Sequence, residues 1–233
     1  MLLAELEAYY SRPIAPTRRV ALGEQLLPVD PAPGFGGILL GAVVARFSSG
    51  LDDELLGEMY TLAGALELGL RIPQPRLRHR LQSDRIGLRR ACHRLFGDGE
   101  ELEFSFDEEN GSPAQHVLCA LYAAGEVQRE VRPVIMATVR KGLAWRGDVD
   151  ERLVAHLSGR GGSYSATSIG DPVRWALEIL DLAEAELAVP TRKAVQQAFR
   201  DGLRDAHPDH GGEDDEAAER IAELAEARRI LLG

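Results

Sequence analysis

The residues from Val195 to Gly212, VQQAFRDGLRDAHPDHGG, allow few structures. Val195, Ala198, Phe199, Leu203 and Ala206 keep the i, i+3, i+4, i+8, i+11 spacing of one helix face. Thr191 stands ahead of that stripe, where its hydroxyl can accept from a free N–H of the first turn. Pro208 ends the helix, because it has no N–H and disfavours helical geometry at the preceding His207. Gly211 and Gly212 open a loop. A second helix is predicted over residues 214–232, with the stripe Ala218, Ile221, Leu224, Ala225, Arg228 and Leu231. Two amphipathic helices joined by a short loop make a helical hairpin.

Ala198-Phe199-Arg200, then His207-Pro208-Asp209, then Ala218, Ile221, Leu224, Ala227 and Leu231 resemble the J domain of Hsp70 co-chaperones. The segment Trp175 to Leu182 fits the first helix of such a domain, so the resemblance covers residues 172–233. It implies that the tripeptide lies between the second and third helices. It also implies that the tripeptide docks, with the basic second helix, on the ATPase domain of an Hsp70 and stimulates ATP hydrolysis. The corresponding residues here are His207, Pro208 and Asp209, with Lys193, Arg200 and Arg204 on the helix. The sequence departs from the family at four kinds of position. Asp181 replaces a usual glycine, Gly202 a usual leucine and Ala206 a usual aromatic, and Asp201 and Asp205 dilute the basic charge of the helix.

Upstream, the most apolar stretch is Gly34 to Phe47, GFGGILLGAVVARF. It falls well short of the roughly 20 residues that span a bilayer, and predicts a buried helix. Residues 51–70 carry Leu55, Leu56, Met59, Tyr60, Ala63 and Leu66 in helical register. Ser112 with Pro113 marks the start of a further helix, and residues 132–143 and 150–157 supply two more. Leu102, Phe104 and Phe106 alternate with Glu103 and Ser105, as in a short strand. Leu2, Leu3, Leu6, Tyr9 and Tyr10 suggest a short amphipathic helix, and Arg19 to Val29 a small hairpin turning near Gly23. Residues 158–170, SGRGGSYSATSIG, have the glycine and serine content of a flexible linker. The expected fold class is therefore mainly α. A helical N-terminal domain with minor β would occupy residues 1–157, a linker 158–171, and a helical-hairpin J-like domain 172–233.

Composition narrows the function. A net charge of −10 argues against a general nucleic-acid or anionic-membrane binder, since both need basic surface. The basic cluster Arg76, Arg78, Arg80, Arg85, Arg89, Arg90 and Arg94 reads as a solvated face balanced by nearby acids, or alternatively as the working surface of a scaffold protein. The two cysteines, Cys92 and Cys119, lie far apart and form no CxxC, so no structural zinc site is indicated. His207, Asp209 and His210 lack a fourth metal ligand of convincing spacing. Glu213 to Glu216 reads as the acidic start of a helix rather than a calcium loop. With no GxSxG and no GxxxxGK[ST], neither a hydrolase nor an ATPase is expected, and no cofactor. The start MLLAELEAYYSRP lacks a basic region followed by a long apolar core, so no secretory signal is expected there. The expectation is a non-enzymatic cytoplasmic co-chaperone whose partners are an Hsp70 and a client protein, with neither membrane nor nucleic acid involved.

Overall fold

The structure, a computed structural model, describes residues 1–12, 18–70, 79–97, 102–158, 172–182, 190–206 and 214–232. The chain forms two compact units: Met1–Asp98 with Leu102–Ser158, and Gly99–Glu101 with Gly159–Gly233. The expected linker lies almost wholly outside the described residues.

The first unit holds a five-stranded mixed sheet in the order β3-β2-β1-β4-β5. Its strands are β1 (Leu2–Tyr10), β2 (Arg18–Leu26), β3 (His79–Leu81), β4 (Arg89–Gly97) and β5 (Leu102–Ser105). β1 is the middle strand, antiparallel to β2 and β4; β4 and β5 are antiparallel, and β2 and β3 parallel. This sheet overturns the expected mainly α fold class and its helical N-terminal domain. The physical reason is visible in β1. Ala4, Leu6, Ala8 and Tyr10 are fully buried, while Glu5, Glu7 and Tyr9 alternate with them on the other face. A period of two buries one face of a strand and would scatter around a helix. The expected hairpin within residues 19–29 is likewise absent. β2 continues through Gly23 with a bulge, since Leu6 faces Gln25 but Ala8 faces Leu22, and a Cβ on Gly23 would collide with Glu7 Cγ at 2.5 Å. That glycine serves a close approach, not a turn.

The buried face of the sheet packs on α1 (Gly34–Ser48) and α3 (Pro113–Glu126). Thirteen of the fifteen residues of α1 are buried, so it is the central rod of the unit. α3, α4 (Arg132–Ala144) and α5 (Glu151–Ser158) also contact it. α1 and α4 meet at Gly41 and Gly142, where the backbones touch: a Cβ on Gly142 would overlap the Gly41 carbonyl oxygen. α2 (Asp53–Glu67) lies against α3 and α4, capped by Asp52, whose carboxylate accepts from Leu55 N at 2.8 Å. At the start of α3 the Gln115 side chain reaches back to accept from Ser112 N at 2.9 Å.

The second unit contains α6 (Pro172–Ile179), α7 (Arg192–Asp205) and α8 (Asp214–Leu232). Its core is Trp175, Ala176, Leu180, Val195, Leu224 and Ala227, with Phe199, Leu203 and Leu231 half-buried against it. Ile221, which the stripe placed inward, is exposed. The α7 and α8 helices run antiparallel: Arg228 lies over the Phe199 ring at 4.8 Å, and Leu224 lies against Gly202. Thr191 caps α7, accepting from Ala194 N at 3.2 Å. α6 ends in a Schellman motif. The N–H of Asp181 donates to Glu178 O (3.1 Å), and that of Leu182 donates to Leu177 O (2.8 Å). The motif needs a left-handed residue, and Asp181 supplies it at φ 53°, which explains why glycine would be the easier choice there. Among the described residues no helix is long and apolar enough to cross a membrane.

Candidate functional site

The α7 helix carries three of the expected site residues. Lys193, Arg200 and Arg204 stand at i, i+7 and i+11, form one stripe, and are all exposed. Its opposite edge faces the core through Val195 and Phe199. Arg204 pairs with Asp201 at 3.5 Å, but both side chains are largely in water, so the pair is weak and the guanidinium stays available. Gln197 also donates to Asp201, at 2.9 Å. His207, Pro208 and Asp209 follow this helix in the sequence. These three residues lie outside the described residues, as do His210 and Glu213, the metal and calcium candidates. Among the described residues no cluster of three or more histidine, cysteine or acidic side chains is arranged to hold a metal ion.

The basic segment of the first unit looks different in three dimensions. Arg76 and Arg78 lie outside the described residues. On the exposed face of the sheet, Arg90 donates twice to Glu7 Oε2 (2.9 and 2.6 Å), Arg94 donates to Glu5, and Arg85 covers the Tyr9 ring at 4.7 Å. Burial pushes the Glu7 carboxyl up. Hydrogen bonds from Arg90 and Tyr9 outweigh that effect and hold it below its usual range. Arg90 and Arg94 of β4 are thus matched by Glu7 and Glu5 of β1, strand against strand. Cys92, between them, is pushed up to about 11 by burial and by Glu5, so it is no reactive thiol.

Beneath the sheet lies a polar group that the sequence did not reveal. His93 on β4 and His116 on α3 are fully buried, with His93 Nε2 3.0 Å from His116 Nδ1. Asp107 N donates to His93 Nδ1 at 3.3 Å, so the His93 proton sits on Nε2 and is donated to His116. Tyr10 Oη is 3.4 Å from the same Nε2, and Phe47 stacks on the His116 ring at 3.9 Å. Burial, together with His116, lowers His93 to about 3. Burial lowers His116 to about 4, partly offset by the charge of Asp107 and a bond to the Asn110 backbone. Both rings are neutral at physiological pH and bind the loop at residues 107–110 to the sheet and α3. They face no open space, so their role is structural. No motif signals the pair, because one histidine belongs to a strand and the other to a helix.

The chain matches no family model, no curated protein and no solved structure.

Proposed function

We propose that the second unit acts as a J-type module: it recruits an Hsp70 in the cytoplasm and stimulates its ATPase, while the first unit selects the client or the location. The observation that supports this reading most is the exposed stripe Lys193, Arg200 and Arg204 on α7, the helix that His207-Pro208-Asp209 follow in the sequence. A basic stripe gives long-range, salt-sensitive steering toward an acidic surface. The tripeptide is the contact whose loss would uncouple the ATPase. The chain itself is not proposed to be an enzyme or to use a cofactor. The competing reading, a scaffold working through the segment from Arg76 to Arg94, is weakened because Arg90 and Arg94 already pair with Glu7 and Glu5.

The test is steady-state ATP hydrolysis by the host Hsp70 with and without the full chain. Wild type should raise the rate and His207→Gln should not, with the melting curve unchanged. Arg204→Ala should weaken stimulation and flatten its salt dependence. Equal rates with wild type and His207→Gln, using an Hsp70 that responds to another J protein, would refute the proposal.

A further inference from the structure

Between the end of α6, one side of α7 and α8 the described residues leave a groove of about 780 Å³. Its lining is apolar at Ile179, Leu182 and Ala198 and acidic at Glu178, Asp181, Asp201 and Asp205, with Arg220 the one cation among the described lining residues. Some of these charges are already spent within the unit. Glu178 pairs with Arg174 at 3.0 Å, Asp201 with Arg204, and Arg220 with Glu223 at 3.1 Å. Among the described residues no cation lies within ion-pair distance of Asp181 or Asp205. The groove is therefore an apolar trough beside two carboxylates that no described cation pairs with. It lies on the side of α7 that carries Ala194, Ala198, Asp201 and Asp205, apart from the basic stripe.

We propose that this groove docks a basic amphipathic peptide segment of a partner protein. Its aliphatic side chains would lie against Ile179, Leu182 and Ala198, and its arginines or lysines would reach Asp181 and Asp205. Charge complementarity selects this occupant. An acidic peptide would be repelled by the rim, a bare cation would gain nothing from the apolar floor, and an uncharged apolar segment would leave both carboxylates unmatched. The partner is opposite in charge to the one that the α7 basic stripe would attract, and the inference does not depend on Hsp70 coupling. One helix thus offers two surfaces of opposite sign.

The experiment uses the full chain and a labelled peptide of alternating leucine and arginine, with a leucine–glutamate peptide as its counterpart. Anisotropy should show binding of the first only, weakening as salt rises. Amide shifts of the labelled protein should map to residues 178–182, 194–206 and 220–224. That localisation is needed because a chain of net charge −10 attracts cations generally. Asp181→Asn with Asp205→Asn should weaken binding about tenfold and flatten its salt dependence; asparagine tolerates the left-handed backbone at position 181, so the cap is kept. Ala194→Arg, at the groove mouth, should abolish binding while the circular dichroism is unchanged. Undiminished affinity in the Asn pair, equal binding of the glutamate peptide, or shifts spread over the first unit would overturn the proposal.

Discussion

Replacing Gly142 with alanine separates two effects of opposite sign. Alanine in a helix interior is favoured over glycine by about 1 kcal/mol, so propensity alone predicts a gain. The new Cβ, however, would overlap the Gly41 carbonyl oxygen and lie 3.1 Å from the Gly41 carbonyl carbon. Both are backbone atoms, so no rotamer change relieves the clash. α1 cannot retreat, because thirteen of its fifteen residues are buried and the sheet backs it. The α1–α4 interface must open along its length, and overpacking of this kind costs about 1–3 kcal/mol, with backbone clashes at the upper end. A net loss of about 2 kcal/mol is expected. Gly57→Ala and Gly64→Ala in α2, where a Cβ meets nothing within 4 Å, should instead stabilise by up to about 1 kcal/mol. Urea unfolding read through Trp145, in a Trp175→Phe background, isolates the first unit, because Trp175 belongs to the core of the second. A midpoint for Gly142→Ala equal to or above that of the parent would refute the packing argument.

Acidification should also weaken the first unit. His93 and His116 are lowered to about 3 and about 4, whereas the unfolded chain takes up those protons near 6.5. The unfolded state therefore binds more protons as pH falls from about 6.5 toward 4, and stability drops over that window by up to about 1.4 kcal/mol per pH unit for each histidine. His93→Gln should show a shallower slope in the same titration; an unchanged slope would clear the histidines. In the second unit, Asp181→Gly should raise the unfolding free energy followed by Trp175 fluorescence by about 1 kcal/mol, since the left-handed backbone penalty is removed. Leu224→Ala, at a site 1% exposed in a six-residue buried core, should cost about 2–5 kcal/mol by the same readout.

Helices with strong local marks were legible in the sequence. Gly34 to Phe47 was apolar on every side, Ser112-Pro113 marked the start of α3, and Thr191 marked that of α7. β5 was legible too, since Leu102 and Phe104 alternate with glutamate and serine. β1 was not. Leucine, alanine and glutamate are strong helix formers, and Ala4 and Ala8 are too small to announce an inward face. β4 hid for a related reason. Its inward positions are Ala91, His93 and Leu95, too weakly apolar to stand out within a run of arginines. Pairing across the sheet decided both cases, and such pairing leaves no mark within a short window. Lys193, Arg200 and Arg204 were marked by the resemblance to J domains, and the i, i+7, i+11 spacing puts them on one face of α7. The groove could not be read there, because Asp181 past the end of α6, Asp205 on α7 and Arg220 on α8 lie far apart in the sequence.

The central place of β1 sets the order in which the molecule can be assembled. The amine of Met1 donates to Gly97 O, 96 residues later, and β4 completes the long antiparallel pairing that fixes the register of β1. On the ribosome the first strand and the apolar α1 therefore emerge well before β4, α3 and α4, which bury them. Contacts so distant in sequence slow folding and leave sticky surface open meanwhile. The inward faces of β1 and α1 thus stay uncovered until the chain has been made as far as the end of α4 at Ala144.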